Sequence, residues 1–342
     1  MSSLQHNTLN HVTEFASGFA NRYNAIIFLE FKPDGDKMTK KETDNAVNTL
    51  SIPVIAALLS VYFFWGTTYI AIKFAIETLP SYTMLGIRFG FAGLIMYVFL
   101  RLKNVPTPTK EQWKSAAVIG GILLCLANGS VGLAQTTVPS NITASIIAAV
   151  PLWMAFFQCT IFRQSSPKIW TIFGLILGFI GVAILVNSSG SKEGGGALWG
   201  YLLLIFATAA WAFGSLISRT LDVPKSPFMA ISAQMLMGGL FCLIVGALRG
   251  EIAEISIAFL SARSIIAVLY LIVFGSIVAY SAYIWLLRNV SPTLVSTYAF
   301  VNPVVAIFMG WVLAGETLIA HEIIAVFVIL VAVIAIIREN SK

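Results

Sequence analysis

One arginine in this sequence stands where charge is expensive. Arg88 lies inside the apolar run Ser81 to Leu100, and a charge at the centre of a lipid-buried helix costs roughly 2.5 to 3.5 kcal/mol on insertion scales. Two uses would offset that cost. The side chain could face a wet cavity and hold an anion or counter-charge, or it could snorkel and cap backbone carbonyls to hold a bundle together. The other solute-binding groups inside apolar runs are neutral. Trp65, Tyr69, Trp211 and Tyr298 offer ring faces to an apolar or cationic solute, although such rings also serve in helix packing and interfacial belts. Asn128, Gln135, Gln158, Gln234 and Asn302 offer hydrogen bonds, and buried amides of this kind often do no more than tie membrane helices together. Asn302 stands out among them because Pro303 follows it, and a proline removes a backbone donor and can leave a carbonyl free beside a cavity. Pro151 and Pro303 read as paired kinks that could act as gates; static packing is the alternative.

Catalytic chemistry finds little support. The histidines are His6, His11 and His321, and no pair of carboxylates shares a helix face within an apolar run. Lys73, Glu77, His321 and Glu322 fall near helix ends, where charges are ordinarily solvated, and Glu316, a conceivable proton-coupling carboxylate, also falls at a helix end, after Gly315. Cys125, Cys159 and Cys242 have neither CxxC spacing nor polar surroundings, so they read as small packing residues. No GxxxxGK[ST] loop for nucleotide phosphates is present. The expectation is a non-enzyme with no cofactor and no metal.

These residues must be positioned by membrane helices. Only 11% of the 342 residues are charged and 58% are hydrophobic, against about a quarter charged in soluble domains. Charge-free intervals then mark the crossings, each of which needs roughly 20 apolar residues. Such intervals run from Asp44 to Lys73, Lys168 to Lys192, Glu193 to Arg219, Lys225 to Arg249, Arg263 to Arg288 and Arg288 to Glu316. The stretch Ser115 to Phe162 is long enough for two crossings, divided by the turn-forming Thr136–Asn141. With Ser81–Leu100 and Ala320–Ile337 the count reaches ten. Residues 1–50 form a polar leader, read as cytoplasmic and partly disordered, in which Met38 before Thr39-Lys40-Lys41 would serve as a second translation start.

Lys and Arg cluster in alternate loops. Those after the second, fourth, sixth and eighth helices hold Arg101, Lys103, Lys110, Lys114, Arg163, Lys168, Arg219, Lys225 and Arg288, whereas the opposite loops hold Lys73, Lys192, Arg249 and Arg263. Cytoplasmic loops carry the basic excess, so both termini should be cytoplasmic. The scattered placement of these charges, despite a net +6, argues against nucleic acid as a partner. At an offset of 146 residues Trp65 pairs with Trp211, Lys73 with Arg219, Arg88 with Gln234, and Ala92-Gly93-Leu94 with Gly238-Gly239-Leu240; at 152, Pro151 pairs with Pro303. Two five-helix repeats, 51–190 and 197–338, follow. Five is odd, so the second must enter the membrane from the opposite side, as in many carriers. Gly86 with Gly90 and Gly174 with Gly178 allow close helix approach, within the chain or across a homodimer.

The segment FFWGTTYIAIKFAIETLPSYTMLGIRFGFAGL (63–94), with ANGSVGLAQTTVPSNITASIIAAVPLW (127–153), WAFGSL at Trp211 and RNVSPTLVSTYAFVNPVVA before GE (288–316), resembles the EamA family of the drug/metabolite transporter superfamily. The resemblance covers about residues 52–338 and implies a ten-helix inner-membrane protein with a central cavity. It also implies export or exchange of metabolites such as amino acids or drugs. A small solute and the bilayer are then the partners, and a passive channel is the alternative function.

Overall fold

A computed structural model of the chain describes residues 51–138, 140–163, 167–188, 198–254, 260–314 and 320–340. The leader 1–50, Lys192 and Glu316 lie outside the described residues, as do the side chains of His321 and Glu322. Everything described is helix, turn or short connection, with no strand among the described residues.

The first half supplies α1 (Ile52–Ala75), α2 (Ser81–Leu102), α3 (Lys110–Ala134), α4 (Ser140–Ile147), α5 (Val150–Thr160) and α6 (Ile169–Ser188). The second supplies α7 (Leu198–Ile217), α8 (Pro227–Leu248), the short α9 (Glu251–Glu254), α10 (Ala262–Asn289), α11 (Pro292–Ser296), α12 (Tyr298–Ala314) and α13 (Ala320–Asn340). Six of these, α1, α2, α3, α7, α8 and α10, are long and apolar enough to cross a membrane. Helix starts follow from capping chemistry. Thr109 and Gln112 form a capping box ahead of α3, and the Ser226, Ser261 and Ser291 hydroxyls accept from backbone N–H groups in the first turns of α8, α10 and α11. The start of α2 is capped from elsewhere: Glu251 Oε2 accepts from Thr83 N at 2.9 Å and Thr83 Oγ1 at 3.2 Å.

Two departures from uniform helices recur in both halves. The third long helix of each half, α3 and α10, carries a π-helical segment, Gly121–Ala127 and Leu271–Val278. A wider turn leaves main-chain carbonyls available to side chains, and three are taken: Leu123 O by Asn128 Nδ2 (2.9 Å), Leu124 O by Cys242 Sγ (3.5 Å) and Gly275 O by Trp65 Nε1 (3.1 Å). The next helix of each half is broken. Pro151 has no N–H for Ile147 O, so α4 stops at Ile147 and α5 restarts at Val150. In the second half the break falls at Thr297, where the Thr297 hydroxyl donates to Leu294 O at 2.6 Å and the Ser296 hydroxyl to Thr293 O at 2.8 Å. Such back-bonding bends helices. The uncharged interval 288–316 therefore folds as α11 plus α12 rather than as one rod.

Contacts between the halves are reciprocal. The second helices pack on each other (α2 on α8), and so do the last (α6 on α13). α1 packs on α12 and α10, and its counterpart α7 packs on α5 and α3; α2 meets the π segment of α10 as α8 meets that of α3. The symmetry reaches single residues. A Cβ on Gly93 would stand 2.8 Å from Leu236 N, and one on Gly239 would stand 2.6 Å from Gly90 N, the same pair of sites shifted by 146. The glycine pairs serve the same packing: Gly86 faces Leu243, Gly174 faces Ile336 and Gly178 faces Phe300, all within this chain.

The outward faces are as apolar as the inward ones. On α13, Ile323, Phe327, Leu330 and Ile334 form an exposed stripe at helical spacing, while Ala325, Ile329, Ala332 and Ile336 are buried. In water such a surface would aggregate; in hydrocarbon it is the required exterior. The resolved ion pairs, Lys114–Glu111, Lys168–Glu339, Arg249–Glu251 and Arg263–Glu77, stand near helix ends. This is a multi-pass membrane protein.

Candidate functional site

Where α1, α2, α3, α7, α10 and α12 converge, with Ile147 of α4 and Val150 of α5, they line a cavity of about 70 Å³. Trp65, Tyr69, Arg88, Asn128, Trp211 and Tyr298 line it, so six of the eight candidate cavity residues come together around one space. The other two stand behind the wall. Gln234 is fully buried and accepts from the Tyr280 hydroxyl at 3.0 Å, and Tyr280 lines the cavity in its place. Asn302 is fully buried beside the Tyr69 hydroxyl. Pro151 is the second residue of α5, next to the lining residue Val150, and Pro303 is the sixth residue of α12. The two prolines thus stand at different distances from the breaks in their helices. Gln135 lies in the turn after α3, and Gln158 Oε1 accepts from Thr293 Oγ1 at 3.2 Å, tying α5 to α11.

The aromatic wall is built where the halves meet. Trp65 and its repeat partner Trp211 contact edge to face, with ring centroids 5.4 Å apart. Trp65 also lies 4.8 Å from Tyr283 and 4.8 Å from Tyr298, and Tyr283 lies 5.4 Å from Trp211 and 5.6 Å from Tyr298. These offset and edge-on geometries are the favoured ones for aromatic pairs. The polar edges are satisfied inside the cluster: Trp211 Nε1 donates to Tyr283 Oη at 2.9 Å, Tyr283 Oη and Ser215 Oγ are bonded at 2.6 Å, and Trp65 Nε1 is held by Gly275 O. A ring fixed at its edge cannot swing away, so the wall is preorganised.

Arg88 is the one charge among the described lining residues. It is 4% exposed, its Nε donates to Ser276 Oγ at 2.8 Å, and its guanidinium carbon sits 4.7 Å from the Phe89 ring centre. Its Nη1 has no hydrogen-bond partner. Gly275 leaves the room it occupies, since a Cβ there would stand 2.8 Å from Nη2.

Thr68, Gly275, Ser276, Tyr280 and Tyr283 belong to this site and were not among the sequence candidates. A usable signal existed for two of them. Tyr280 and Tyr283 are three residues apart and share a helix face. Ser276 and Gly275 carry no comparable signal. Cys125 and Cys242 are buried free thiols and Cys159 is a half-buried one.

The pattern of the EamA-like transporter family matches residues 50–187 and again residues 198–338. The chain is 37% identical over 286 residues to the inner membrane transporter YedA of Escherichia coli strain K12, covering 83% of this chain and 90% of that protein. A WAT1-related chloroplast protein of Arabidopsis thaliana is 28% identical over 281 residues, 81% of this chain and 67% of its own length. Among solved structures, one crystal structure superposes with a TM-score of 0.66 at 14% identity, covering 84% of this chain and 98% of the other, and so shares the fold.

Proposed function

This chain belongs to the EamA-like transporter family, and we propose that it is a secondary carrier that exports or exchanges small metabolites by alternating access. The aromatic-walled cavity is its solute site. Ten crossings, five in each repeat (51–190 and 197–338), enter the membrane in opposite senses, with both termini on the cytoplasmic side of the inner membrane. The observation that carries this reading is the reciprocal packing of the halves around the cavity, down to the matched Gly93–Leu236 and Gly239–Gly90 contacts. When two halves are nearly interchangeable, rocking one against the other gives inward-open and outward-open states of similar energy around a fixed site. The cavity volume supports the size class. About 70 Å³ is far below the roughly 300 to 1,000 Å³ of drug-sized ligand sites, which favours small solutes over drug-sized ones.

Purified protein in proteoliposomes tests the carrier. Vesicles preloaded with one unlabelled solute from a panel of amino acids and small organic acids are diluted into the same labelled solute. Saturable uptake with a transient counterflow overshoot is expected. Flux that rises linearly with concentration, without overshoot, would mean a channel.

A further inference from the structure

We propose that the chamber selects small monoanionic carboxylates with an apolar or aromatic body, and that Arg88 is the group that receives the carboxylate. This rests on the carrier reading and narrows its solute class. The first support is charge balance. Arg88 lines the cavity, and among the described residues no Asp, Glu or His lines it with Arg88. The four resolved ion pairs near the helix ends do not include Arg88. Arg88 is therefore a positive charge with no carboxylate among the described lining residues, a setting that favours an anion over a cation.

The second support is geometry. Ser276 takes only the Nε–H of Arg88, and the Phe89 ring holds the guanidinium by its face. Nη1 remains without a partner. A planar guanidinium held at Nε, with Nη1 lacking a partner, has a donor to offer a carboxylate oxygen. Gly275 keeps the position open, because any side chain there would meet Nη2. The third support is the opposite half. The site related to Arg88 by the repeat is Gln234, whose Oε1 is already bonded to Tyr280, so packing at this position does not itself demand a charge. Much of the remaining wall is apolar or aromatic, with Trp65, Trp211 and Tyr298 beside Ile72, Leu124 and Val131, which suits an apolar body. An ammonium on the same solute would meet no carboxylate on the lining.

The test uses the full chain in detergent, with quenching of tryptophan fluorescence as the binding signal, and then in proteoliposomes. The probes are 3-phenylpropanoate, its uncharged amide, phenylalanine, tetraethylammonium and chloride. The carboxylate is expected to bind at least ten-fold more tightly than the amide, phenylalanine or the cation, with chloride unable to displace it at equal concentration. Arg88→Gln is expected to weaken carboxylate binding about ten- to hundred-fold, the range of a lost charge-assisted hydrogen bond, and Arg88→Lys, which keeps the charge without the fork, to fall between. Gly275→Ala, which keeps the charge but crowds it, is expected to weaken the carboxylate and not the amide, so the result does not depend on one variant folding. Amide or phenylalanine binding as tight as the carboxylate, or displacement by chloride alone, would overturn the proposal. Saturable counterflow of neutral or cationic solutes, with no carboxylate preference, would overturn it while leaving the carrier reading intact. Arg88-dependent carboxylate binding with no counterflow of any solute would uphold the anion site and end the carrier reading.

Discussion

At the scale of the residue, Arg88 offers a choice between two roles that stability itself can decide. If its guanidinium ties the bundle together, removing it weakens the fold. If it is kept for a solute, the empty protein carries an unbalanced buried charge, worth roughly 2.5 to 3.5 kcal/mol against insertion, and gives up stability for function. We therefore expect Arg88→Met, which refills much of the volume, to raise the thermal midpoint in detergent by several degrees while abolishing carboxylate binding. A lower midpoint would identify the guanidinium as structural. Tyr283 makes a contrasting case, because its hydroxyl is the acceptor that satisfies Trp211 Nε1. Tyr283→Phe should cost about 1 to 3 kcal/mol by leaving that donor unmet, read as a lower thermal midpoint, and should raise the half-saturation concentration for uptake because the Trp211 ring is no longer pinned. Arg88, Trp65 and Trp211 were legible in the sequence because charge and indole are conspicuous in apolar runs. Gly275 and Ser276 were not. The π segment adds to the turn just where they lie, and a shift of that kind changes which face a residue presents.

The helices themselves were easier to read than their interruptions. Charge spacing located the long spans because a charge in hydrocarbon is costly at any position, and Thr136–Asn141 marked the turn between α3 and α4 through its own backbone preferences. The break before Pro151 follows from one missing N–H. The break at Thr297 depends instead on hydroxyl rotamers that bond back to the preceding turn, a choice made by the surrounding packing. Glycines show the same division. All four small-xxx-small positions invite close approach, but only the structure tells which are filled. A Cβ on Gly90 would meet nothing within 4 Å, whereas one on Gly239 would press on the Gly90 backbone at 2.6 Å. Backbone cannot swing aside as a side chain can, so α2 and α8 would have to separate. Gly239→Ala is thus expected to cost about 1 to 3 kcal/mol, the usual penalty of overpacking, and Gly90→Ala next to nothing. Parallel thermal melts of the two variants check this, and equal midpoints would mean that α2 and α8 are not as closely packed as described.

Taken whole, the described molecule is nearly two-fold in its framework and one-sided in the charge on its chamber, and the proposed transport cycle would take its energetics from that combination. In the proposed carrier cycle such a framework would let the site face either side at similar cost. The single charge stays with the protein, so what crosses the membrane in each cycle is the charge of the solute. With no acid or imidazole among the described lining residues to carry a compensating proton, net transport of a monoanion should be electrogenic. A membrane potential contributes about 2.3 kcal/mol per elementary charge per 100 mV, which corresponds to roughly a fifty-fold ratio at equilibrium. Proteoliposomes given an inside-positive potential of about that size with valinomycin and external potassium should accumulate labelled 3-phenylpropanoate toward that limit, after subtraction of uptake by protein-free vesicles. Reversing the potential should drive the label out, and a pH gradient without a potential should do neither. Accumulation that followed the pH gradient and ignored the potential would require a proton to travel with the solute, and the group that carries it would have to stand outside the chamber where Trp65 and Trp211 meet.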